Sequence, residues 1–125
     1  MDAAPVVTLR CARGARAQQA ALDAWLAGAP PAPRAVIAEG ALFALAAPED
    51  VAIERLAAGC VCCLGMVPLR VTLTRLLRRR PRALLLLLAA DEHVPRLRAQ
   101  LAGGELGALR LDEAALPAVR SDTSP

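Results

Sequence analysis

Between Arg82 and Asp91 the chain reads Ala83-Leu84-Leu85-Leu86-Leu87-Leu88-Ala89-Ala90, with no polar side chain. The run is far shorter than the ~20 residues that cross a bilayer. Successive strand residues point to opposite sides, so as a strand this segment shows apolar groups to both faces at once. Such strands belong to parallel sheets that carry helices on both faces. One segment therefore calls for an α/β layer.

The neighbouring segments supply the alternation that such a layer needs. Pro5 to Cys11 (PVVTLRC) is β-branched and reads as a first strand, and Arg34 to Glu39 (RAVIAE) reads as a second, closed by Gly40. Between them, Ala20, Leu22, Trp25 and Leu26 mark a helical stripe over 16–27 ending at Gly28, and 29–33 (APPAP) form a stiff linker. Pro48-Glu49-Asp50 looks like a helix start, with Val51, Ile53, Leu56 and Ala57 following and Gly59 as the stop. A further helix is expected from Val67 or Pro68 to Arg80, ended by Pro81, and another over 91–101. Leu106 to Leu111 gives a last strand. The expectation is a small, truncated three-layer α/β domain over residues 1–116, with a parallel sheet of about four strands. Residues 117–125 are expected to form a flexible tail.

Composition narrows the chemistry. The chain has 125 residues and no lysine; all 15 of its basic residues are arginine, and it has one histidine, His93. Schiff-base catalysis and an intact phosphate-loop lysine are therefore excluded. The net charge of +3 comes without exposed aromatics or a reading module, so no nucleic-acid partner is expected. The start, Met1-Asp2-Ala3-Ala4-Pro5, lacks the features of a secretory leader, and no membrane partner is expected. The expected compartment is the cytoplasm, where clustered thiols point to metal or redox chemistry before structural disulfides.

Four cysteines carry that chemistry, and three of them stand together in Gly59-Cys60-Val61-Cys62-Cys63-Leu64-Gly65. Three thiols within four residues can converge on one soft cation, at Zn–S distances of about 2.3 Å. The flanking glycines allow the backbone angles that turning the sulfurs inward requires. Three ligands leave a tetrahedral ion one open position, which suits a metal that is handed on. Cys11, at the end of the first strand, and His93 and Asp91, after the apolar strand, are the candidate fourth ligands, since strand C-termini share one edge in a parallel sheet. Two plainer readings stand beside this one: a cysteine as a small buried hydrophobe, above all for Cys11, and a redox pair of Cys62 with Cys63 or Cys60 with Cys63. Trp25 and Phe43 read as packing residues, and Arg78 to Arg82 as cations at a helix end.

The stretch from Ile53 to Leu101, with its Gly-Cys-x-Cys-Cys loop, arginine-ended helix, Pro81 and apolar strand, resembles the CobW-like branch of the CobW/UreG/HypB metallochaperone GTPases. Ala35-Val36-Ile37 with Glu39-Gly40 is similar to that family's second strand and acidic loop. The resemblance implies a P-loop-NTPase-like fold, Zn²⁺ or a related transition metal held by Cys60, Cys62 and Cys63, GTP as cofactor, and a client metalloprotein as partner. Where the family carries its phosphate loop, this chain reads Arg10-Cys11-Ala12-Arg13-Gly14-Ala15-Arg16-Ala17. Against G-x-x-x-x-G-K-[ST], Arg16 stands in place of Lys and Ala17 in place of the Mg²⁺-binding hydroxyl, so GTP hydrolysis is not expected. Arg13, Gly14 and Arg16 are the residues left to meet a phosphate or other anion at a helix start. Two alternatives stay open: a non-enzymatic interaction subunit that docks on a full-length partner or a second copy through its incomplete sheet, and a GTP-binding protein with an aberrant loop.

Overall fold

The structure is a computed structural model, and it describes residues 4–40, 45–56, 67–90, 92, 94–104 and 109–112. In chain order the elements are β1 (Val6–Cys11), α1 (Ala15–Ala27), β2 (Arg34–Glu39), β3 (Val51–Leu56), α2 (Val67–Leu77), β4 (Ala83–Leu88), α3 (Val94–Ala102) and β5 (Arg110–Leu111). The strands form one sheet in the order β3-β2-β4-β1-β5, and every pairing is parallel. The fold is thus a small parallel-sheet α/β domain consistent with a P-loop-like architecture, with five strands where about four were expected.

β4 is the centre, and its composition explains why. It pairs with β1 on one side and β2 on the other, and Leu84 to Leu88 are all at most 2% exposed. Leu84, Leu86 and Leu88 join Leu69, Leu73 and Leu76 of α2 and Leu97 and Leu101 of α3 in one core. Ala83, Leu85 and Leu87 join Leu22 and Trp25 of α1 on the opposite face. Alternation of side chains along the strand thus feeds two cores from one apolar run.

The helix expected after Pro48 is a strand. Val51 donates its N–H to the Pro48 carbonyl at 3.0 Å, closing a tight turn, and six residues from Val51 to Leu56 then pair with Arg34 to Glu39. Val51 and Ile53 pack on the α1 face, while Ala52 and Leu56 pack on the other. A strand apolar on both faces loses the period-two alternation that would mark it. Proline and two carboxylates mimicked a helix start, yet Asp50 is occupied by Arg34, with both carboxylate oxygens accepting from Nη2 at 3.0 and 2.9 Å.

α2 ends at Leu77, short of Arg80. Arg79 and Arg80 donate their N–H groups to the Leu76 and Leu77 carbonyls, and Arg80 takes a φ of 54°. Of the expected strand over 106–111, Arg110–Leu111 is a strand in the described residues. Phe43 and the tail 117–125 lie outside them.

Candidate functional site at the carboxyl edge of the sheet

β1 leads through α1 to β2 on one face, and its neighbour β4 leads through α3 to β5 on the other. Ligand sites of open parallel sheets lie at such a switch point, beyond the strand C-termini. Here that place is bounded by Cys11 at the end of β1, by Ala12 to Gly14 after it, and by Ala89 and Ala90 after β4.

The β1–α1 connection is three residues long, Ala12-Arg13-Gly14. Arg10 and Cys11 belong to the strand and Ala15, Arg16 and Ala17 to the first turn of the helix, so the eight positions set against a phosphate loop are not a loop in this chain. A glycine-rich loop holds phosphates by wrapping its backbone N–H groups around them. Three residues cannot make that wrap, so the turn does not fit a nucleoside triphosphate. Gly14 caps the helix with φ 92° and ψ 165°, a conformation essentially reserved for glycine, and it supplies no side-chain cap. The first turn carries no acidic residue. Arg13 and Arg16 are exposed, and Arg13 lays its guanidinium back across the crevice, donating from Nε to the Ala89 carbonyl at 3.2 Å.

Beneath the turn, two buried polar side chains tie the strand ends together. Gln18 is 1% exposed, and its Nε2 donates to the Ala12 carbonyl at 3.1 Å and the Glu39 carbonyl at 2.9 Å. Glu39 is 6% exposed, and its Oε1 accepts the Ala89 N–H at 2.9 Å. The ends of β1, β2 and β4 are thereby joined, and Ala12 N–H adds a 2.8 Å bond to the Leu88 carbonyl. Sequence reasoning passed over Gln18, although a signal existed. Gln18, Leu22 and Trp25 are spaced four and three apart, which puts the amide on the buried stripe of the helix.

Cys11 ends β1 at the edge expected for it. It is half-buried against the α2/α3 core, and its sulfur lies 3.7 Å from the Ala90 carbonyl. β3 ends on the same edge, and α2, which runs back toward β4, begins there; the connection between Leu56 and Val67 contains the cysteine motif. Cys60, Cys62, Cys63, Asp91 and His93 lie outside the described residues. Among the described residues there is no group of three or more His, Cys, Asp or Glu side chains able to hold a metal, and no helix long and apolar enough to cross a membrane. Arg13 and Gly14 are thus adjacent to Cys11 at the switch point, with Arg16 within the first helical turn. No family model, curated protein or solved structure matches the chain.

Proposed function

We propose that this chain binds a soft or borderline transition metal, Zn²⁺ or a close relative, through the Cys60, Cys62 and Cys63 thiolates, and passes it to a client metalloprotein without hydrolysing a nucleotide. The observation that carries the reading is the motif itself: three thiols within four residues between Gly59 and Gly65. Its setting supports it. The segment leaves β3 on the edge where Cys11 ends β1, and that edge is the one parallel sheets use for ligands. Cys11 is the fourth sulfur nearest in topology.

The resemblance to CobW-like metallochaperones gives the same reading, with one part removed. The three-residue β1–α1 turn and the absence of lysine take away the phosphate loop on which nucleotide-driven release depends. Release then proceeds by ligand exchange: an incoming thiolate or imidazole from the client fills the open position, and the chain's own sulfurs leave one at a time. Because thiols must lose protons to bind, capture releases protons and tightens as pH rises.

Titration of the reduced protein with Co²⁺, followed by displacement with Zn²⁺, tests the proposal. The expected result is one metal per chain, with an intense thiolate-to-cobalt absorption that is lost in Cys62→Ser/Cys63→Ser. Absence of stoichiometric binding, or binding indifferent to those substitutions, would refute it.

A further inference from the structure

The fold sorts charge between its two helical layers. Residues 68–82, covering α2 and the turn into β4, hold six arginines and no carboxylate. Residues 94–104, covering α3, hold two more arginines and again no carboxylate. The rest of the chain has seven arginines against 12 carboxylates. α2 and α3 bury Leu69, Leu73, Leu76, Leu97 and Leu101 in one core on one face of the sheet, so their polar sides share one outer surface. The net charge of +3 averages over two sides that the fold keeps apart, and so conceals a strongly basic layer. Within that layer Arg75 is paired with Glu54 at 2.7 Å. Arg70, Arg78, Arg79, Arg82 and Arg96 are exposed, and none of the five makes an ion pair with a described residue.

We propose that the outer surface of α2 and α3 binds the phosphate backbone of a nucleic-acid duplex, without regard to its sequence. A guanidinium presents a planar fork that meets phosphate oxygens two at a time. Arg70 and Arg78 stand about 12 Å apart along α2, and α3 lies about 10 Å to the side, one helix diameter. Phosphates follow one another every 3.4 Å or so along each strand of a duplex, so such a patch spans about three or four of them per strand. Other anionic partners are served less well. Val71 is the one large apolar side chain exposed among the described residues, and the two basic segments contain no aromatic. A protein interface needs an apolar core inside its charged rim, and stable membrane attachment needs a second, apolar signal beside a basic patch. Single strands are held by aromatic stacking as well as charge. Duplex binding through counterion release needs none of these. The expectation of no nucleic-acid partner rested on overall charge and on the lack of a reading module; backbone binding requires no such module. This inference stands apart from the metal reading and uses none of its residues.

The test is fluorescence anisotropy of a labelled DNA duplex of about 20 base pairs, titrated with the full chain, reduced and metal-free, at salt from about 50 to about 200 mM. With the five arginines engaged, log K should fall against log salt with a slope of about −4.5, a loss of about 500-fold over that range. A duplex of scrambled sequence should bind equally, and the separated strand more weakly. Arg70→Gln/Arg96→Gln keeps the helix propensity of both positions and should bring the slope to about −2.7, with binding about 100-fold weaker at the lowest salt. Arg78→Lys keeps the charge and should stay within a few-fold of the parent. The control is Arg55→Gln on β3, where Arg55 alternates with Val51 and Ile53 toward the α1 side; its slope should match the parent's. No duplex binding at the lowest salt, a parental slope in the double variant, or an equal loss in the control overturns the proposal. So does tighter binding to the single strand, to polyglutamate or to phosphatidylserine vesicles than to the duplex at the same salt.

Discussion

Gln18 offers the sharpest test of how the carboxyl edge is held. Gln18→Met keeps an unbranched side chain of similar length and helix propensity, so it removes the two hydrogen bonds with little cavity. Two buried carbonyls, those of Ala12 and Glu39, then lose the donor at 3.1 and 2.9 Å. At about 1–3 kcal/mol for each stranded group, the loss is about 2–6 kcal/mol. An offset comes from the wild-type residue itself, whose Oε1 is buried without a partner. Removing that orphan returns about 1–2 kcal/mol. The net destabilisation expected is about 1–4 kcal/mol, which lowers Tm by about 4–16 °C at about 4 °C per kcal/mol for a chain of this size. Gln18→Glu should be worse, because it sets an acceptor-only carboxylate against two carbonyl oxygens in a buried site. Its carboxyl would titrate at higher pH folded than unfolded, so its deficit relative to the parent grows as pH rises and shrinks in acid, where the protonated group can donate again. Urea and thermal unfolding followed by Trp25 fluorescence give both numbers. Gln18→Met within about 0.5 kcal/mol of the parent, or Gln18→Glu no worse than Gln18→Met, would refute the donor role assigned to Nε2.

Three further substitutions probe other parts of the molecule. Gly14→Ala meets no atom within 4 Å, so its cost is backbone strain alone at φ 92°, about 1–3 kcal/mol by chemical denaturation. Asp50→Ala removes an ion pair whose carboxylate is 53% exposed; a loss of at most about 1 kcal/mol is expected, mostly abolished when unfolding is repeated at 1 M salt. If Cys11 completes the metal site, Cys11→Ser should weaken Zn²⁺ in a chelator competition while leaving one metal per chain bound. Equal affinity in variant and parent would return Cys11 to a packing role.

The elements that were legible are those whose signals are local and unopposed. β2 runs from Arg34 to Glu39 as expected, and β4 needed only its run of leucines. β3 was misread because its evidence was tertiary. Val51 and Ile53 serve one core and Ala52 and Leu56 the other, and pairing with β2 overrides a start signal that Asp50 spends on Arg34 instead. The site was half legible for a related reason. Cys11 sits at the end of its strand as expected, while Cys60, Cys62, Cys63 and His93 lie outside the described residues. Gln18 and Glu39 matter through what they touch across 21 and 50 residues of sequence, and no local pattern states those partners.

The edge of the sheet constrains the proposed chemistry more than any single residue does. In a nucleotide-driven switch, phosphate contacts order one state and their loss releases another. Here the groups at this edge are engaged internally: Arg13 reaches Ala89, Glu39 accepts from Ala89, and Gln18 binds the ends of β1 and β2. These groups are already engaged with the chain itself, and a ligand can shift a conformational equilibrium only by its differential affinity for the two states. On the proposed reading the coupling must therefore run through the metal itself. Thiolates compete with protons on one side and with the client's ligands on the other, so pH and client concentration set the direction of transfer. Zn²⁺ exchange into an acceptor peptide should accelerate with peptide concentration and be insensitive to added GTP and Mg²⁺. Acceleration by GTP would show that the β1–α1 turn does more than its three residues permit.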